Sequence, residues 1–425
     1  MFSYKNNILH WKEHSLSDLH NRVKAKLQND YQYQGAYWLY NEEILKQRIQ
    51  ALQKNLAGSK FFYSVKSQPN ISILKYILPE NDFGVDVVSG GEIYRALSAG
   101  FSANRMVFAG VGKTDSEIEM AIDLEIKSIH VESISELLRI DLIAKRKEAE
   151  VNVTLRLNPD IEVDTHKHIA TGKEENKFGM NENEISSALE IIKNSQQIRL
   201  VGLQAHIGSQ LFDSEPYLKT AHYLIEKIQI CQRGLLNPIE YISLGGGFGV
   251  DYTQTASLGD PFDLSTLHTK IQSMLDSKIE LHFEPGRYLS APMGILMSQV
   301  LYLKPRRNRT IAIVNAAMND LIRPTLYEAF HPILPIDNRR KEAVYDVVGP
   351  VCESGDMFAQ GRSIPALEER EWIAIAYAGA YGSSMSSNYN SRALLPEVIL
   401  VDDRIEVIRK PQTLEQLLFF ERVSG

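Results

Sequence analysis

The sequence predicts an α/β chain: a (β/α)8 TIM barrel followed by an all-β, β-sandwich-like C-terminal domain. Three observations carry that expectation. Between residues 60 and 286, eight short runs rich in β-branched and aromatic residues alternate with longer segments of helical periodicity. After Arg287 the helical periodicity gives way to short extended runs separated by polar turns. No G-x-G-x-x-G follows the first strand, which disfavours the open doubly wound sheet that the same alternation can also build.

In chain order the strand candidates are KFFYSV (60–65), FGVDVVS (83–89), RMVFAG (105–110), SIHVES (128–133), VNVTLRLN (151–158), RLVGLQAHIG (199–208), YISLGG (241–246) and IELHFEPG (279–286). Between them lie helix candidates such as GEIYRALSAG, DSEIEMAIDLE, SISELLRIDLIAKRKEAE, EISSALEIIKNSQ and PYLKTAHYLIEKIQICQRGL, whose apolar residues recur every three or four positions. Eight such units in about 250 residues have the length and count of a closed barrel. The barrel is expected over 36–286 and the β domain over 287–425, with the N-terminal segment 1–35 joining the latter. ILMSQVLYLKP, TIAIVNAA, AVYDVVGP, EWIAIAYAG and EVILVDDRIEVIRK supply that domain's strands, and Thr413 opens a terminal helix in TLEQLLFFERV.

Composition excludes several function classes. The 425 residues carry a net charge of -7, which offers no basic surface to nucleic acid. The two cysteines, Cys231 and Cys352, form no disulfide framework and suit a reducing compartment. MFSYKNNILHWKEHS lacks a basic stretch followed by an apolar core, and no apolar run reaches membrane-spanning length. The expectation is a cytoplasmic protein with no membrane and no nucleic-acid partner.

In a barrel of this kind the loops after the strands converge on one mouth, so position tests chemistry. Lys66 ends the first strand, His206, Gly208 and Ser209 the sixth, Gly245, Gly246 and Gly247 the seventh, and Glu284, Gly286 and Arg287 the eighth. Read alone, LGGGFG is either a tight turn or an anion cradle; its place after strand seven favours phosphate, with Ser209 a further donor. Lys66 either snorkels to solvent or presents a poorly hydrated amine suited to a Schiff base with an aldehyde cofactor, for which pyridoxal 5'-phosphate (PLP) is the candidate. Glu284 is then a partner for the pyridinium nitrogen, or else half of an ordinary ion pair. His206 stacks on the ring or is simply structural.

Joined by their order, YSVK (63–66), HIGSQ (206–210), LGGGFG (244–249), EPGR (284–287), GPVCESGD (349–356) and AGAYGSSMSSNYN (378–390) span nearly the whole chain. On these motifs the sequence resembles the fold-type III PLP-dependent decarboxylases of the alanine racemase-like barrel group. The resemblance implies a barrel with a following β domain, and a homodimer whose active sites are shared between subunits. It implies Lys66 as the Schiff-base lysine, Glu284 as the pyridine-nitrogen partner, and His206 as the stacking residue. Ser209, Gly245 to Gly247, Gly286 and Tyr381 would hold the phosphate, and Cys352 would be the proton donor. No metal is implied.

Within that group NDLIRPTLYEAFH (319–331) is similar to the substrate segment of members acting on meso-2,6-diaminopimelate, and THKHIATGKEENKFGM (165–180) to their loop over the site. Arg287, Arg323 and Tyr327 would then bind the carboxylate at the substrate's far end and Glu353 its ammonium, with Tyr381 a further substrate-binding residue. The expected reaction is decarboxylation of that substrate to L-lysine and carbon dioxide, the last step of lysine biosynthesis. The chemistry agrees: a distal carboxylate asks for arginines, whereas a diamine-type amino acid such as ornithine asks for an acid. A relative acting on ornithine, arginine or a carrier-tethered substrate is the alternative, followed by a non-catalytic PLP-binding protein. An alanine racemase would leave Arg323 and CESGD unexplained. The chain departs from the family pattern at Asn315 and Ala316, at Ser67 and Gln68, and at Tyr377.

Overall fold

The computed structural model describes residues 1–161, 177–233, 235 and 237–421. The chain divides into two compact units, one of Arg48–Gly249 with Asp260–Tyr288, the other of Met1–Gln47 with Val250–Gly259 and Leu289–Gly425.

The chain opens with β1 (Phe2–Lys5), β2 (Ile8–Trp11) and β3 (His14–Ser15), a small antiparallel sheet, followed by β4 (Tyr37–Asn41). β4 belongs to the second sheet and not to the barrel, although it falls inside 36–286. It pairs antiparallel with Gly294–Met297 and parallel with Glu397–Leu400, and all five of its residues are buried. A strand covered on both faces shows no alternation, so its sequence does not reveal which core it serves.

The barrel follows: β5 (Lys60–Ser64), β6 (Phe83–Val87), β7 (Met106–Phe108), β8 (Ser128–Val131), β9 (Val151–Arg156), β10 (Ile198–Gln204), β11 (Tyr241–Ser243) and β12 (Glu280–Phe283). All eight expected runs are strands, every pairing is parallel, and β12 closes onto β5. Short polar side chains start the helices that follow. Asn70, Ser89, Thr114, Ser133, Asn181 and Asp263 each accept a hydrogen bond from the first turn, satisfying amides that a helix start leaves without partners.

Alternation along these strands separates two cores. Phe61, Phe83 and Phe283 stack together, with ring centroids 4.9 Å apart for Phe61–Phe83 and 6.3 Å for Phe61–Phe283. The other set is polar. His130 on β8 approaches Glu284 after β12, four strands away, and Thr154 on β9 bonds Tyr241 on β11. Contacts between non-adjacent strands of a closed barrel cross its lumen, so this second set lines the inside. Thr154 and Tyr241 pair with each other, whereas neither ring nitrogen of His130 has a hydrogen-bond partner among the described residues.

The sheet unit continues with β13 (Gly294–Pro305), β14 (Thr310–Val314), β15 (Ile333–Pro335), β16 (Glu342–Val348), β17 (Met357–Pro365), β18 (Trp372–Ile375), β19 (Glu397–Val401) and β20 (Arg404–Arg409). With β4 they form one mixed sheet, in which twelve-residue β13 pairs with β14, β18 and β4 along its length. The terminal helix is short, Leu414–Leu417, and Thr413 caps it as its sequence predicts. Among the described residues no helix is long and apolar enough to cross a membrane.

Candidate active site

Lys66 follows β5 in a single 3-10 turn, Val65–Ser67, and Asn70 then starts the next helix. Its Nζ lies 2.8 Å from Asp86 Oδ2, which also accepts a 2.9 Å bond from Ser64 Oγ. The expectation of a poorly hydrated amine is corrected here: the Lys66 side chain is 43% exposed, while Asp86 is 1% exposed. The turn lifts the lysine out of the strand and towards the barrel mouth, so the partner is the buried member of the pair. Burial pushes the Asp86 carboxyl up, but the charge and hydrogen bond of Lys66 outweigh it and hold the group below its ordinary value.

Glu284 sits beyond the end of β12, 7% exposed. Ser243 Oγ donates to its Oε1 at 2.7 Å and Gln204 Nε2 to its Oε2 at 3.0 Å, which fixes the carboxylate plane. Burial, then the charge of Asp86, pushes this carboxyl up to about 7. A nearby cationic group would keep it ionised at neutral pH. His130 Nδ1 lies 3.9 Å from Glu284 Oε1, and burial pushes that imidazole down to about 3, so it is neutral beside the acid.

His206 follows β10. Desolvation first, then the cations Arg156 and Lys66, lower it to about 3, leaving a neutral ring. The glycine loop is built against it. Gly245 has φ +66°, and a Cβ there would stand 2.6 Å from His206 Nδ1; at Gly247, φ +99°, a Cβ would collide with the Gly208 carbonyl oxygen. The three glycines therefore let backbone lie against the ends of β10 and β12, a concave surface that side chains would fill. Ser209 Oγ accepts from both Nε and Nη2 of Arg287 at 3.2 Å, and a Cβ at Gly286 would stand 3.0 Å from Ser64 Cβ.

The barrel unit thus holds Lys66, His206, Ser209, Gly245, Gly246, Gly247, Glu284, Gly286 and Arg287 beyond the carboxyl ends of four strands. The sheet unit holds the rest. Arg323, 5% exposed, donates from Nη1 to Tyr252 Oη at 3.1 Å and meets His331 Nε2 at 2.8 Å. Tyr327 ends the same short helix, Arg323–Tyr327, and Tyr381 has φ +53° in the AGAYG turn. Cys352 and Glu353 are exposed on a loop organised by buried Asp356, whose two oxygens accept from the Met318 and Val351 amides at 2.7 Å each. That carboxylate folds GPVCESGD so that its reactive side chains face outwards. Residues 165–176 of the expected loop over the site lie outside the described residues.

Sequence reasoning missed Asp86, His130, Gln204 and Ser243, as well as Tyr252 and His331. One signal was present: an acid inside the apolar run FGVDV is costly unless it has a partner.

The barrel residues fit PLP. An accessible amine suits its aldehyde, an immobilised buried carboxylate suits its ring nitrogen, and the glycine surface suits its phosphate. Asp86 Oδ1 and Gln204 Oε1, both buried beside this cluster, have no hydrogen-bond partner among the described residues.

Comparison with known proteins points the same way. The pyridoxal binding domain of the pyridoxal-dependent decarboxylases matches residues 42–291. The chain is 37% identical to the diaminopimelate decarboxylase of Haemophilus influenzae over 425 residues, 99% of each chain. The crystal structure of the Helicobacter pylori diaminopimelate decarboxylase complexed with L-lysine superposes with a TM-score of 0.85, at 39% identity over 93% of this chain and 98% of that one. The diaminopimelate decarboxylase of M. jannaschii, in co-complex with L-lysine, gives 0.89 at 29% identity, over 100% and 98% of the two chains.

Proposed function

The chain belongs to the pyridoxal-dependent decarboxylases, and on that premise we propose that it is a carboxy-lyase converting meso-2,6-diaminopimelate to L-lysine and carbon dioxide, the last step of lysine biosynthesis. The observation that carries the reading is the mouth of the barrel, where one reachable amine stands over a buried carboxylate and a second carboxylate is locked by Ser243 and Gln204.

When bound, PLP supplies an electron sink for the pair left on the α-carbon as carbon dioxide departs. Lys66 would be the amine that carries the cofactor, with Asp86 2.8 Å away to orient it. Glu284, held by Ser243 and Gln204, would be the partner of the ring nitrogen. His206, neutral, would offer a flat face without adding charge. By the family motifs, Ser209, Gly245 to Gly247, Gly286 and Tyr381 would hold the phosphate.

By the family motifs, Arg287, Arg323 and Tyr327 would bind the carboxylate that is retained and Glu353 the ammonium beside it, with Tyr381 a further substrate-binding residue. Cys352 delivers the proton that replaces carbon dioxide at the α-carbon. The exposure of Cys352 and Glu353 supports a homodimer in which this segment completes the site of a second copy. The proposed setting is cytoplasmic, where free thiols such as Cys231 and Cys352 stay reduced.

Incubation of purified protein with PLP and meso-2,6-diaminopimelate is expected to release carbon dioxide and L-lysine. Turnover of ornithine, arginine or a carrier-tethered amino acid, with none of diaminopimelate, would overturn the substrate assignment.

A further inference from the structure

Two neutral side chains contact the guanidinium of Arg323. Its Nη1 meets Tyr252 Oη and His331 Nε2, and its Cζ lies 5.1 Å from the centre of the Tyr252 ring. His331 is fully buried, and its Nδ1 lies 2.9 Å from the Ala376 carbonyl oxygen. A carbonyl only accepts, so Nδ1 carries the proton. In the neutral ring Nε2 is then an acceptor, and it takes the N–H of Arg323. The tautomer is set by the backbone of the segment after β18.

Tyr252 is fixed in turn. Its ring meets His331 edge-on, with centroids 5.2 Å apart at 84°, and packs against Tyr377 at 5.7 Å. Tyr377 donates its hydroxyl to the Gln254 carbonyl at 2.5 Å, tying down the segment that carries Tyr252. One of the chain's departures from its family pattern, Tyr377, is therefore part of this clamp. A planar guanidinium gripped at one nitrogen and stacked on a ring has little freedom left to rotate. Two-pronged carboxylate binding requires that restraint.

We propose that His331 and Tyr252 are positioning residues for substrate specificity: together they orient Arg323 towards the carboxylate that the reaction retains. The inference rests on the reading of Arg323 as a carboxylate-binding residue. His331 acts only in its Nδ1-protonated neutral form, as an acceptor, and Tyr252 supplies both a ring face and an oxygen.

A double-mutant cycle on the PLP-loaded enzyme tests it, reading kcat and KM for meso-2,6-diaminopimelate and the affinity for L-lysine. His331→Leu is expected to raise KM and weaken L-lysine about tenfold, the value of one hydrogen bond to a charged group, with kcat changed far less. His331→Gln, whose amide oxygen can replace Nε2 as acceptor, should recover most of the loss. Tyr252→Phe, which keeps the ring, should lose less than His331→Leu. In an Arg323→Gln background His331→Leu should add almost nothing, because its target is gone. If Arg323→Gln itself leaves KM and L-lysine affinity unchanged, the carboxylate reading of Arg323 fails. If Arg323→Gln weakens both but His331→Leu does not, or the two losses simply add, the positioning role is overturned.

Discussion

Around their candidate site residues the two units set charge differently. In the barrel, acids gather around one amine: Asp86 pairs with Lys66, Ser64 Oγ reaches both Asp86 and the Glu284 carbonyl, and the Asp86 charge helps to raise the Glu284 carboxyl. In the sheet unit a single guanidinium is gripped by two uncharged rings, Tyr252 and His331. The first arrangement waits for positive charge, such as an amine and a protonated ring nitrogen, whereas the second presents positive charge to an anion. On the proposed reading, the Schiff-base lysine and the ring-nitrogen partner belong to the barrel unit, and Arg323 to the sheet unit.

The largest expected effect comes from removing the amine. Lys66→Ala should lower kcat by at least about 10⁴-fold, about 5.5 kcal/mol at about 1.4 kcal/mol per decade, while the protein remains folded by circular dichroism; near-normal turnover would remove Lys66 from the reaction. Glu284→Gln keeps the size of the side chain and removes its charge. It should cost about 10²–10³-fold in kcat, the usual effect of losing one oriented electrostatic partner, with KM much less affected.

Much of this was legible in the sequence, and what was not has physical causes. The eight barrel strands could be read because period-two and helical patterns alternate without interruption. β4 was not assignable, because a strand buried on both faces carries no phase. Lys66, Glu284 and the glycines could be placed because strand ends in a barrel converge. Tyr252 and His331 could not, since they lie 71 and 8 positions from Arg323 and only the fold brings them together. The hydration of Lys66 was misjudged because one 3-10 turn, invisible in composition, separates an apolar strand from a half-exposed amine.

Smaller effects sharpen the contrast. Gly245→Ala places a Cβ at φ +66° and 2.6 Å from His206 Nδ1; a loss of about 1–2 kcal/mol in stability is expected from the left-handed backbone alone, together with weaker PLP binding by fluorescence titration. The finest test is pH dependence in protein stripped of cofactor. Glu284, ordinarily near 4.5, is pushed up to about 7 by burial and by Asp86. The folded chain keeps a proton that the unfolded chain has released, so this group's contribution is fully present below pH 4.5 and is lost as pH rises through 7. Asp86 runs the other way: held below its ordinary value, its contribution is present above pH 3.8 and lost in stronger acid. The Tm advantage of Glu284→Gln over the parent should therefore grow between about pH 5 and 7.5, and a constant difference would contradict the buried-acid assignment.

The central claim is that Lys66 is the amine that carries PLP. Borohydride reduction of the loaded enzyme, followed by tryptic digestion and mass spectrometry, tests it directly. The account predicts one pyridoxyl group on Lys66, which would block cleavage there and leave the peptide spanning residues 61–75 intact. A pyridoxyl group on any other lysine, such as the buried Lys113, would contradict it.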